Sequence, residues 1–146
     1  MAVTTENLYT TQTTSAKIVQ LTQAHLPQLE HFYATWPETV FSPFMFEHGI
    51  YYGAFDGLEL LAAAGTHAMS PQHHMGVIGN VFTSPVHRGR GLATAVTGAV
   101  AKALIANGAR EVALNVRQEN VQAIRAYSRL GFTIHEAFTE GEATVR

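Results

Sequence analysis

The 146-residue chain contains no cysteine. That absence excludes disulfides, a thiolate nucleophile and any zinc site built on thiolates, and it fits a cytoplasmic address. Nowhere does an apolar run reach the length of about 18 residues that a membrane span needs, and no basic-then-apolar leader opens the chain, so neither a membrane partner nor a secretory signal is indicated. Charge is sparse as well: Asp, Glu, Lys and Arg make up 14% of the residues and the net charge is -2, which speaks against a nucleic-acid partner. Basic residues are nearly missing from residues 1–73, where Lys17 stands alone against six acids, whereas residues 74–146 carry eight basic residues against five acids. A phosphate-bearing ligand belongs with the second half. A cationic partner belongs with the first, although a solvated acidic face is the ordinary reading of such a bias. With 47% hydrophobic residues, the length suffices for one domain with its own core and is short for two.

Residues 1–15 are threonine-rich without apolar periodicity and read as a flexible tail, leaving residues 16–146 as the domain. "SAKIVQLT" has strand character. "QAHLPQLEHFYATW" places Leu26, Leu29, Phe32 and Tyr33 at helical spacing with Pro27 in the first turn. The segment "PETVFSPFMFEHG" is punctuated by Pro37, Pro43 and Gly49 and predicts an irregular or short helical connection whose aromatics either line a substrate entrance or, the favoured reading for Phe41, Phe44 and Phe46, pack into the core. Two strands then meet at the Asp56-Gly57 turn signal, and "MGVIGNVFTSP" is a third, ended by Pro85. Apolar residues recur every three or four positions in a helix from Leu92 to Ala106, and Asn107-Gly108 supplies the stop. "REVALNVR" alternates as a strand, a second helix runs from about Asn120 to Leu130, and "FTIHEAF" is a last strand, with "TEGEATVR" turning back after it. The order predicts a mixed α/β (α+β) fold with a mostly antiparallel central sheet flanked by helices.

Chemistry concentrates where the third strand feeds the long helix, at "SPVHRGRGLATAV". A strand that ends in a glycine-rich loop before a helix leaves the first helical N–H groups unpaired, and these with the helix dipole make an anion site. Gly89 and Gly91 let the backbone approach a phosphate, while Arg88 and Arg90 add positive charge. The blander account is a turn kept soluble by its arginines. A nucleotide-triphosphate loop needs Lys-Ser/Thr where this chain has Leu92-Ala93, and the dinucleotide fingerprint loses its third glycine to Thr94 and sits after antiparallel strands.

The segment Arg88-x-x-Gly91-x-Ala93 resembles the acyl-CoA pyrophosphate loop of the GNAT superfamily of N-acetyltransferases, Q/R-x-x-G-x-G/A, and "LNVRQENVQAIRAYSRLGF" resembles that family's later segment N-x-x-A-x-x-x-Y-x-x-x-G-F. Two motifs in the right order and spacing carry the resemblance over residues 75–135. It implies acetyl-CoA as cosubstrate, with Arg88, Gly89, Arg90, Gly91, Leu92, Ala93 and Thr94 around the pyrophosphate and the backbone of Phe82 and Thr83 along the pantetheine. It further implies that Asn120 contacts pantetheine and that Tyr127 stands beside the thioester sulfur as general acid, with Asn115 a possible additional contact. Taken without the resemblance, Asn120 is a helix N-cap, Tyr127 a core-facing aromatic and Asn115 a polar group satisfying a neighbour.

The implied activity is acetyl transfer to a primary amine of a small-molecule or amino-acid-like acceptor by direct attack in a ternary complex; a catalytically weak acyl-CoA-binding sensor of the same fold is the alternative. Many relatives place a carboxylate on the central strand to deprotonate the amine, and "GVIGNVFTSP" has none. His67, His73, His74, Asp56 and Glu47 are the available bases, His67 preferred for its place in a strand. Eight histidines without a helical i, i+4 pair predict no metal site. The short C-terminal segment leaves the sheet edge for a partner subunit to complete, hence a possible homodimer.

Overall fold

The computed structural model describes residues 1–8, 15–36 and 39–134. Six strands form one sheet: β1 (Ala2–Thr4), β2 (Lys17–Gln20), β3 (Tyr51–Asp56), β4 (Glu59–Ser70), β5 (Met75–Thr83) and β6 (Glu111–Leu114), in the spatial order β1-β6-β5-β4-β3-β2. Among the described residues, only the β5–β6 pair is parallel. Four helices accompany them: α1 (Leu26–Ala34), α2 (Pro43–Glu47), α3 (Leu92–Ala106) and α4 (Val121–Arg129). The mixed, mostly antiparallel sheet expected from the element order is the one observed.

Local chemistry explains most boundaries. A 3-10 turn at Gln23–His25 leads into α1, where Pro27 occupies the first turn at no hydrogen-bonding cost. Ser42 caps α2 by accepting from Met45 N–H at 3.4 Å, and Asn120 caps α4 by accepting from Ala123 N–H at 3.1 Å. The Asp56-Gly57 turn joins β3 and β4, with Gly57 at φ +61°. The predicted bounds of α3 coincide with the observed ones.

The sheet separates two apolar clusters. On one face α3 lays Val96, Val100, Ala101 and Leu104 against Ala62, Ala64, Ile78 and Val112, with Tyr127, Leu130 and Phe132 completing the cluster. Each fully buried aliphatic side chain there contributes about 1.5–3 kcal/mol. The other face carries Leu29, Phe32 and Tyr33 of α1, Phe46 of α2, and Tyr51 of β3. Tyr51 lies flat across Gly65, where a Cβ would approach its ring to 2.2 Å, so only glycine fits at that point of β4.

Three expectations change. The supposed tail begins with a strand: β1 pairs antiparallel with β6, Ala2 bridges to Thr133, and Ala2 and Val3 are buried. Three residues are too few to show a period of two, so their strand character comes from the partner and not from their own pattern. The strand predicted through Arg117 ends at Leu114, where pairing with β5 also ends. Phe44 is 68% exposed rather than packed, because the five-residue α2 turns Phe46 inward and leaves Phe44 on the opposite side. The predicted last strand is represented by Thr133; most of it and all of "TEGEATVR" lie outside the described residues.

Candidate active site

Strand β5 outruns its parallel neighbour. Pairing with β6 ends at Ile78–Leu114, whereas β5 continues to Thr83. On its other side β5 stays paired with β4 through a bulge: Ala63 faces Phe82 and Gly65 faces Gly79, so Ala64 is opposed by both Asn80 and Val81. Asn80 takes φ +54°, a left-handed conformation that asparagine tolerates better than most residues.

The direction of the strand's polar groups follows from the ladder. Ser84 N–H donates to Leu61 O at 2.9 Å, and bonded pairs alternate along an antiparallel ladder, so Phe82 faces Ala63 as the next bonded pair. The backbone groups of Val81 and Thr83 therefore turn away from β4, into the gap left by β6. Arg88 reports the same phase, since its Nε donates to Thr83 O at 3.1 Å while its guanidinium lies 5.2 Å above the Phe82 ring.

Past β5, a 3-10 turn at Pro85–His87 leads through Arg88 to the start of α3. Gly89 and Gly91 stand at φ +83° and +78°. A Cβ on Gly89 would meet nothing within 4 Å, so backbone conformation, not crowding, selects glycine there. The first intrahelical bond runs from Ala95 N–H to Gly91 O at 3.0 Å, and no side chain caps the helix. The amides of Leu92, Ala93 and Thr94 consequently lack acceptors among the described residues, the condition for an anion site at the positive end of a 15-residue helix. Arg90 is exposed and makes no ion pair or hydrogen bond among the described residues. Thr83 Oγ1, at the strand end, is buried without a partner among them.

Because β5 and β6 are parallel, their C-terminal ends share one edge of the sheet, and α3 and α4 both begin there and pack on each other. Of the site residues predicted from sequence, Phe82, Thr83, the loop from Arg88 to Thr94, Asn115 and Asn120 lie at this edge, whereas Tyr127 lies further along, in the last turns of α4. Asn115 follows the last residue of β6 and is exposed. Asn120 spends its side-chain oxygen on the α4 cap, which leaves its amide group to offer. Tyr127 is 7% exposed, with its ring 6.1 Å from Phe132 and its hydroxyl unbonded among the described residues. Burial raises its pKa to about 12.

The candidate bases divide. His73 and His74 sit at the opposite, N-terminal end of β5, where Ser70 Oγ and His73 Nδ1 are 2.7 Å apart. Asp56 is at the β3–β4 turn and Glu47 at the exposed end of α2. His67 alone adjoins the bulge: a Cβ on Gly79 would lie 2.8 Å from His67 Cβ. No group of three or more metal-ligating side chains occurs among the described residues, and no helix among them is long and apolar enough to cross a membrane.

The opposite face of the bulge carries residues that the sequence reading did not single out. Tyr33 Oη donates to Asn80 O at 2.6 Å, and Asn80 Nδ2 donates to Tyr51 Oη at 3.0 Å. The available signal was Gly79-Asn80 inside a strand, a pairing of residue types that marks bulges. Beside Tyr33, a cleft of about 280 Å³ is lined by Glu30, Tyr33, Ala34, Thr39, Phe41 and Pro43.

Known proteins place this geometry. The family model described as acetyltransferase (GNAT) family matches residues 17–132. A solved GNAT-family protein from Novosphingobium aromaticivorans is 30% identical with a TM-score of 0.69; the match covers 80% of this chain and 51% of that one, so this chain spans about half of its length. AAC(6')-Iy, solved with the bisubstrate analog CoA-S-monomethyl-acetylneamine, has the same TM-score at 20% identity, covering 86% of this chain and 96% of that one. The ribosomal-protein-S18-alanine N-acetyltransferase of Escherichia coli shares the fold at 23% identity, with a TM-score of 0.65 and coverage of 81% and 77%. No curated protein sequence matches. The family match, the 30% identity and an open α3 terminus beside the splayed end of β5 together establish that the chain belongs to the GNAT acetyltransferase family, whose acyl donor is acetyl-CoA.

Proposed function

We propose that the protein is an acetyl-CoA-dependent N-acetyltransferase that acetylates a primary amine of a small-molecule or amino-acid-like acceptor by direct attack in a ternary complex. The observation that carries this reading is the run of amides at Leu92, Ala93 and Thr94, unpartnered among the described residues, beside the outward-turned backbone of Val81 and Thr83. In this reading the loop from Arg88 through Thr94 holds the pyrophosphate. Phe82 and Thr83 hold the pantetheine along β5, joined by the free amide of Asn120 and by Asn115. Arg90 supplies charge, while Arg88 is tied to Thr83 O and braces the loop against the strand.

Each residue then answers a demand of the reaction. The tetrahedral oxyanion needs a fixed donor, and Val81 N–H faces the gap where it would form. The departing sulfur needs a proton or a hydrogen bond. A phenol near 12 stays protonated at neutral pH, yet full transfer to a thiolate of ordinary pKa near 8.5 is roughly 5 kcal/mol uphill. Tyr127 therefore acts as a hydrogen-bond donor to the leaving sulfur, and coenzyme A departs as the thiolate and takes its proton from solvent. A lysine-like amine, with pKa near about 10.4, has to lose a proton before it attacks. His67 is the base nearest the bulge. For an acceptor that carries a further positive charge, the Glu30 carboxylate in the adjoining cleft offers a suitable partner.

The absence of a carboxylate on β5 favours one other reading, an acyl-CoA-binding module without turnover. One experiment separates them: acetyl-CoA is mixed with a panel of primary amines, and free thiol is followed alongside the melting temperature. Stabilisation with amine-dependent thiol release supports the enzyme. Stabilisation without thiol release across the panel supports the module, and no stabilisation at millimolar acetyl-CoA overturns both.

A further inference from the structure

We propose that Tyr33 is a positioning residue that strengthens and orients the oxyanion donor of β5 through a single peptide unit. The inference rests on the acetyl-transfer reading above. A planar peptide joins the carbonyl of one residue to the N–H of the next, so Asn80 O and Val81 N–H are the two ends of one dipole. Tyr33 grips the first end: its hydroxyl donates to Asn80 O at 2.6 Å, the short side of the O–H···O range. By the phase of the ladder, the second end faces the gap where the thioester carbonyl would lie. A donor on the carbonyl draws electron density toward oxygen and makes the N–H a better donor in turn. Such polarisation strengthens successive bonds by about 10–30%.

Orientation is the other half of the effect. Asn80 holds a left-handed conformation at φ +54° with no glycine to make it easy. Its side-chain amide donates to Tyr51 Oη at 3.0 Å and lies 3.8 Å from Met45 Sδ, while Tyr33 holds its carbonyl. Residues from α1, α2 and β3 thus fix one peptide of β5 from the face opposite α3. Burial keeps both phenols protonated well beyond neutral pH, and for Tyr33 the proximity of Tyr51 adds to that rise. Tyr33 is therefore a donor at any physiological pH. Its ring has separate work, stacked 4.9 Å from Phe41 and edge-on to Phe32 at 5.4 Å, and phenylalanine preserves those contacts.

The test is Tyr33→Phe, with 3-fluorotyrosine at position 33 as a fold-preserving variant whose hydroxyl is a stronger donor. Steady-state kinetics and the infrared carbonyl stretch of isotope-labelled acetyl-CoA bound to each protein are measured. An oxyanion donor is worth about 10²–10³ in rate, and 10–30% of its free energy corresponds to a loss of roughly two- to eightfold in kcat for Tyr33→Phe. KM for acetyl-CoA should stay within about twofold, and the bound carbonyl stretch should move to higher frequency. Fluorotyrosine should move the stretch the other way. Unchanged kcat and carbonyl frequency in Tyr33→Phe, in a protein whose wild type binds and turns over acetyl-CoA, overturn the inference while leaving the transferase reading intact. A wild type that neither binds nor consumes acetyl-CoA overturns both.

Discussion

Replacing Tyr127 by phenylalanine removes one oxygen and leaves the packing of a buried ring against Phe132 in place. Since the hydroxyl makes no hydrogen bond among the described residues, the substitution breaks no internal bond, and stability at pH 7 should change by less than about 0.5 kcal/mol. Two larger effects are expected elsewhere. The first is catalytic. Positioned acid catalysis contributes about 10²–10⁴, and a phenol as weak as this one belongs at the lower end, so kcat should fall roughly 10²-fold with little change in the KM for acetyl-CoA. The second is an alkaline stability effect with a definite sign. The folded pKa, about 12, exceeds the ordinary phenol value of 10.0, so the neutral phenol's contribution is complete below pH 10 and is lost as pH rises toward 12. The difference corresponds to roughly 3 kcal/mol, which Tyr127→Phe should delete from the alkaline limb of a urea-denaturation series. The two measurements are independent. A variant that retained kcat within threefold would remove Tyr127 from the chemistry, and an unaltered alkaline limb would refute the burial argument for its pKa.

Other substitutions probe the remaining parts. Gly91→Val forces a β-branched residue to φ +78°; thermal melts should show a stability loss of about 1–2 kcal/mol, and calorimetry should show coenzyme A affinity falling at least tenfold as the amides shift. In Asn120→Ala the cap of α4 is lost, at about 1 kcal/mol in chemical denaturation. The KM for acetyl-CoA should also rise, by roughly two- to tenfold for one hydrogen bond, and an unchanged KM would restrict Asn120 to capping. Val3→Asp puts a carboxylate at a position only 2% exposed, paired with Val112 in the sheet. Urea denaturation should register a loss of at least about 2 kcal/mol, whereas a frayed N-terminal segment would tolerate the change.

What could be read in advance depended on whether the signal was local. Helix α3 announces itself because its apolar face recurs over fifteen residues and Asn107-Gly108 ends it; the β3–β4 turn does so because Asp56-Gly57 suits a positive φ. The turn into α3 was legible for the same reason, as the glycines at 89 and 91 stand where the backbone is left-handed. Strand β1 was not, since its partner lies more than a hundred residues away and three residues carry no period. The truncation of β6 is equally non-local, set by where its neighbours diverge. The bulge at Asn80 falls between these cases. Its residue type hinted at an irregularity, but the clamp by Tyr33 and Tyr51 needs three elements brought together across the sheet. Arg88 shows the limit of a motif: its place in the loop was legible, whereas its bond back to Thr83 O depends on how the loop folds over the strand end.

The central claim is that backbone amides at the beginning of α3 receive the diphosphate of coenzyme A. Backbone amide resonances followed by heteronuclear NMR during a titration with coenzyme A, and in parallel with pantetheine, test it most directly. The account predicts that the resonances of residues 89–94 move furthest with coenzyme A and scarcely with pantetheine, which lacks the diphosphate. Saturable binding of coenzyme A that leaves those resonances in place would contradict it.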